Sequence, residues 1–70
     1  MVRVFKTNVQ SVFQANSLIS EILWQIPKLV INFDLEDCDR ILRVVGVSIP
    51  QEKIEIILRL EGFFCEELKD

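Results

Sequence analysis

Two thiols and a run of carboxylates are the side chains of this 70-residue chain that are best suited to chemistry. Cys38 lies inside the run Glu36-Asp37-Cys38-Asp39, and Cys65 lies near the C-terminus. A thiolate binds soft metal ions such as Cu(I) and Zn(II), whereas carboxylates bind hard cations. One hypothesis is therefore a metal-binding or metal-transfer protein that uses Cys38, alone or together with Cys65.

Several residue types that most enzymes need are missing. The chain has no His and no Tyr, and its two glycines form no phosphate-binding loop. No nucleophile has a plausible base beside it. Glu36, Asp37 and Asp39 lack the glycine and the spacing of a calcium loop, and such a run is typical of a solvated turn. We predict a non-enzyme with no catalytic residues and no cofactor.

The charge balance excludes further classes of partner. The net charge of −3 and the pI near 4.8 do not provide the basic surface of a nucleic-acid-binding protein. No apolar run approaches the ~18 residues that span a bilayer, and the start MVRVFKTN is typical of a strand and not of a signal peptide. We expect a cytoplasmic protein with free thiols that binds neither nucleic acid nor membrane.

Two spacing patterns predict the first elements. A two-residue period indicates a strand over 2–9, and a 3.6-residue period indicates a helix over 11–26 that ends at Pro27. The helix has one broad apolar face, formed by Val12, Ala15, Leu18, Ile19, Ile22, Leu23 and Ile26. This face is expected to pack on a sheet.

The stretch Lys28–Gly46 has the pattern of a β-hairpin with an acidic turn. Ile31, Phe33 and Leu35 share one face of its first strand, and the segment 41–45 resumes the alternation. After the hairpin, Ser48 and Gln51 resemble a capping box around a first-turn proline.

A second helix is predicted over 50–61, and Gly62 fits the left-handed residue that closes it. A last edge strand is predicted over 63–68. The order β-α-β-β-α-β predicts a single α+β domain over residues 1–70. Its expected architecture is a ferredoxin-like sandwich, with a four-stranded antiparallel sheet in the order 4-1-3-2 and two helices on one face. The predicted core includes Ile19, Ile22, Ile31, Phe33, Ile54 and Leu58.

The layout resembles the heavy-metal-associated domain of copper chaperones and metal-transport ATPases. The residues that carry the resemblance are Ile26-Pro27, Phe33-Asp34-Leu35, Pro50 and Gly62-Phe63, and they cover nearly the whole chain. The resemblance implies the ferredoxin-like fold. It also implies a Cys-x-x-Cys metal loop between the first strand and the first helix.

That metal loop has no cysteine in this chain. Its two positions fall at Ser11 and Gln14, or at Val12 and Ala15, depending on whether the alignment starts from the strand or from Pro27. A hydroxyl, an amide or an alkyl group is a poor ligand for a soft metal. Since the family has a small core-facing residue at the position of Cys65, the resemblance implies a packing role for this thiol. We predict that the metal site is lost.

Two aromatic residues lie on the side of the first predicted helix that is expected to face solvent. At about 100° per residue, Phe13 and Trp24 lie opposite the apolar face, with Ser17 and Ser20 between them. We therefore predict exposed partner-binding residues, Phe13 and Trp24, and a protein-interaction or scaffold module that binds a protein or a second copy. Phe5, Ile41 and Val45 are expected on the far face of the sheet, as a second apolar surface.

Overall fold

The computed structural model describes residues 1–69 and has the element order β-α-β-β-α-β. Its elements are β1 (Val2–Thr7), α1 (Val12–Gln25), β2 (Val30–Asp34), β3 (Ile41–Val45), α2 (Gln51–Leu60) and β4 (Cys65–Glu67). The strands form a four-stranded antiparallel sheet in the order β2-β3-β1-β4. This is the predicted order 4-1-3-2 read from the other edge, so a small α+β fold with two helices is confirmed.

Helix α1 begins with a side-chain cap that the sequence analysis missed. The Gln14 N–H donates to Ser11 Oγ at 3.1 Å, and the Gln10 N–H donates to Gln14 Oε1 at 3.0 Å. The Ser-x-x-Gln spacing therefore provides acceptors for two N–H groups at the start of the helix. The helix ends at Gln25, before Pro27, within one residue of the predicted boundary.

Helix α2 is capped differently from the prediction. Pro50 is its N-cap residue and there is no side-chain hydrogen bond at that position, so the expected capping box of Ser48 and Gln51 is wrong. The C-terminal end follows the prediction. Gly62 has a φ of +90°, and the Phe63 N–H donates to the Leu58 carbonyl at 2.9 Å. The left-handed glycine turns the chain back towards the sheet.

One hydrophobic core joins both helices to one face of the sheet. Its buried members are Phe5, Val9, Ala15, Leu18, Ile22, Leu29, Ile31, Leu42, Val44, Ile49, Ile54, Ile57, Leu58 and Cys65. Four of the six predicted core residues are among them. Ile19 and Phe33 are only partly buried; Phe33 lies in β2, which is an edge strand of the sheet.

The side chains of β1 point to the opposite faces of the sheet from those expected. Phe5 is fully buried opposite Leu42, so its placement on the far face of the sheet is wrong. Arg3 also faces the core side, where its guanidinium contacts the Glu67 carboxylate at 2.6 Å. This ion pair allows a charge at an inward position. Val2 and Val4 occupy the open face instead.

Two strands are shorter than predicted because side chains end them. The Thr7 hydroxyl donates to the Arg40 carbonyl and accepts the Val9 N–H, which ends β1 at Thr7 and turns the chain towards α1. The Phe64 N–H donates to the Asn8 side chain at 2.8 Å, and β4 begins only at Cys65.

Candidate functional site

The outer surface of α1 carries two large exposed aromatic side chains. Phe13 is 76% exposed and Trp24 is 84% exposed. Both lie opposite the buried stripe of Ala15, Leu18 and Ile22, as the helical period requires. The exposure predicted for Trp24 is therefore confirmed.

Small polar residues separate the two aromatic side chains. Ser17 and Ser20 are exposed, and with Phe13 they line a shallow, open depression of about 570 Å³. Val12 and Asn16 complete its lining. The short serine side chains leave open space next to Phe13.

Helix α2 extends this apolar surface with residues that the sequence analysis missed. Ile56 is exposed and Leu60 is 81% exposed. They lie about 200° and 240° around the helix from the buried Ile54, which is the signal that could have revealed them. Together with Phe13 and Trp24 they form what we call the helical surface.

Two depressions between the helices interrupt the helical surface. One, of about 210 Å³, is lined by Glu21 and Gln25 of α1 and by Ile56 and Leu60 of α2. The other, of about 200 Å³, includes Phe13 and Glu61. Both are smaller than the cavities that usually hold a drug-sized ligand.

Polar side chains lie among the apolar residues of the helical surface. The Gln25 amide donates to the Glu21 carboxylate at 2.8 Å. Lys53 and Glu61 are exposed nearby. Acidic and basic groups thus border the apolar residues, as in the polar rim of a protein–protein interface.

Cys65 lies in the core, as expected for a packing residue. Its side chain is 1% exposed, and burial raises the pKa of its thiol to about 12. The negative charge of Glu55 acts in the same direction, whereas Arg59 opposes it. The thiol stays protonated at neutral pH, so it is a poor nucleophile and a poor metal ligand.

Cys38 is exposed in the hairpin turn, beside two carboxylates. Potential ligand atoms of Asp37, Cys38 and Asp39 lie within 4.8 Å of one another. Local contacts already engage both carboxylates, since Asp37 accepts the Asp39 N–H at 2.8 Å and Asp39 lies 3.5 Å from Lys6 Nζ. The structure groups Cys38 with these residues and not with Cys65.

The start of α1 does not provide a soft-metal site. The oxygens of Ser11 and Gln14 accept backbone hydrogen bonds in the helix cap. In the alternative alignment, Val12 is an exposed alkyl group and Ala15 is buried. Neither pair of residues has the softness and charge of two thiolates.

The open face of the sheet is a second apolar surface. Val2, Val45 and Val30 form one row across three strands. Ile41 and Val45, which were expected on this face, are half-buried there. Valines thus replace Phe5 as the apolar residues of this face.

Neither helix in the described part of the chain is long and apolar enough to cross a membrane. Comparisons of the chain with protein-family models, with curated proteins and with solved structures find no match. The candidate site is therefore identified from the structure alone, and it is the helical surface with its exposed apolar side chains.

Proposed function

We propose that the chain is a non-enzymatic protein-binding module and that the helical surface binds a protein partner through Trp24 and Phe13. The observation that carries this proposal is the exposure of Trp24. An exposed tryptophan keeps a large apolar surface in contact with water, which is unfavourable for the unbound chain. Tryptophan is also enriched among the residues that dominate binding energy.

We also propose that the module is ferredoxin-like and similar to heavy-metal-associated domains without their metal loop. The element order, the strand order and the left-handed Gly62 support this assignment. The capping role of Ser11 and Gln14 supports the loss of the metal loop, because these positions now stabilise the start of α1.

The shape of the helical surface favours an amphipathic helix as the partner segment. The depressions between α1 and α2 place Phe13 towards one end and Gln25 with Lys53 at the other. An apolar ridge of a third helix can occupy such a groove with residues spaced three and four apart. Glu21, Lys53 and Glu61 would then contact its polar flanks.

A capture experiment with matched variants tests the proposal. The wild-type chain and the variants Trp24→Ala and Val47→Ala are immobilised. Each is then incubated with an extract of cells that express the chain naturally, and the retained proteins are identified. Val47 is a suitable control because it is an exposed apolar residue outside the helical surface. We expect wild type and Val47→Ala to retain a protein that Trp24→Ala loses. Equal retention by all three chains would contradict the proposed role of Trp24.

The alternative function is metal handling through Cys38, and the grouping of Asp37, Cys38 and Asp39 favours it. Native mass spectrometry under reducing conditions, with Cu(I) or Zn(II), distinguishes the two functions. We expect weak binding that changes little in Cys38→Ser. Tight stoichiometric binding that disappears in Cys38→Ser would establish the metal-handling function instead.

A further inference from the structure

The two edges of the sheet differ in how they are protected from pairing. The β4 edge has three residues, Cys65 to Glu67, and the inward Glu67 carries a charge. The β2 edge has five residues, and its register with β3 is continuous, without a bulge. Short, charged strands prevent edge pairing, whereas a regular edge presents free N–H and C=O groups. The β2 edge is therefore open to another strand.

The flank of α1 above this edge is apolar as well. Val12, Ile19 and Leu23 lie on the side of the helix away from Glu21, which lines the depression shared with α2. Val12 is exposed, and the other two are only partly buried. Below them, Phe33 and Leu35 are also partly buried against the core. The flank of α1 and the edge strand β2 thus form one continuous apolar surface, which we call the side face.

We propose that this side face binds a second copy of the chain, with the two β2 strands antiparallel about a two-fold axis at Asn32. In this register Ile31 lies opposite Phe33, and Val30 lies opposite Asp34. It is the register in which all five residues of each β2 pair with all five of the other. The two sheets become one sheet of eight strands, and the two α1 helices pack side by side. This inference does not depend on the proposed binding role of Trp24.

The charges at the two ends of β2 favour a second copy as the occupant. Lys28 precedes the strand, and Asp34 and Glu36 lie at its other end. An antiparallel pair brings each Lys28 next to Asp34 and Glu36 of the second copy. Within one copy the five-residue strand separates Lys28 from Asp34 and Glu36, and no ion pair joins them among the described residues. The edge is self-complementary in charge.

The size of the side face also fits a dimer. The molecule is 17 Å thick in its shortest dimension, and α1 has 14 residues. At about 1.5 Å per residue the helix is roughly 20 Å long, which gives a footprint of roughly 350 Å². Two such footprints total roughly 700 Å² in projection, which places the interface in the small size class, where weak and transient complexes are found. A reversible dimer is expected.

Charge reversal with complementation tests the proposed dimer. Sedimentation velocity over about 1 to 500 µM measures dimerisation of wild type, Lys28→Glu and Glu36→Lys. Each variant alone places like charges together at both ends of the interface, and we expect its dimer to be about tenfold weaker or more. An equimolar mixture of the two variants restores opposite charges at both ends, so we expect the mixture to dimerise like wild type.

Two further variants give the experiment its controls. Glu52→Lys makes the same charge change as Glu36→Lys, but on exposed α2, and should dimerise like wild type. Asn32→Lys places two like charges opposite each other at the axis and should give a monomer. A wild-type chain that stays monomeric would overturn the proposal. So would single variants that dimerise normally, a mixture that stays monomeric, or a dimer that requires Trp24 instead.

Discussion

At the scale of single residues, Trp24 is so exposed that its substitution should affect binding but not folding stability. Because its indole contacts water and not the core, we expect Trp24→Ala to change the free energy of unfolding by no more than about 0.5 kcal/mol. Ile22→Ala, on the buried face of the same helix, should cost about 2–5 kcal/mol. Denaturant unfolding of the two variants measures this difference. Equal losses would mean that the helix packs on a different face.

The buried thiol gives a prediction about pH. The pKa of Cys65 is raised from 9.0 to about 12, so above pH 9 the unfolded chain releases a proton that the folded chain keeps. The stabilising contribution is therefore complete below pH 9 and is lost as the pH rises towards 12. We expect the unfolding free energy to fall more steeply between pH 9 and pH 11 in wild type than in Cys65→Ala. Identical slopes would show that the thiol is accessible to water.

Residue facing was predictable where it depends on local spacing and unpredictable where it depends on distant contacts. The helical period alone placed Trp24 and Phe13 outside. The facing of β1 depends on Arg3, whose inward position is stabilised by Glu67, 64 residues away along the chain. Alternation of charged and apolar residues therefore indicated the wrong face for Phe5.

At the scale of elements, the Arg3–Glu67 ion pair links β1 to β4. The Glu67 side chain is 7% exposed, so removing its partner leaves a nearly buried carboxylate without its cation. We expect Arg3→Met to destabilise the fold by about 2 kcal/mol or more, and Arg3→Met/Glu67→Leu to recover part of this loss. Chemical denaturation of both variants tests the coupling. A cost below about 0.5 kcal/mol for Arg3→Met would indicate a solvated pair.

The element boundaries show the same division between local and distant causes. Pro27 and the apolar period located α1 to within one residue at each end. The start of β4 is set by Asn8, which follows the neighbouring strand β1 and accepts the Phe64 N–H from 56 residues away along the chain, and no local pattern predicts that contact. The exposed Ile56 and Leu60 on α2 were not predicted, although the helical period places them about 200° and 240° from the buried Ile54.

At the scale of the whole molecule, the fold carries two surfaces that adjoin at Val12. The helical surface lies on the outer side of the helix layer, whereas the β2 edge with the flank of α1 lies at the side of the sheet. A dimer through β2 would leave Trp24 of both copies free. It could therefore present two binding surfaces at once and raise the apparent affinity for a multivalent partner.

The affinity of the captured partner tests the central claim most directly. Isothermal titration of the purified partner into wild type, Trp24→Ala and the control Val47→Ala measures the dissociation constant of each complex. We predict that Trp24→Ala weakens binding by about 2 kcal/mol or more, roughly thirtyfold, while Val47→Ala matches wild type. A Trp24→Ala chain that binds within about twofold of wild type would contradict the assignment of the helical surface as the binding site.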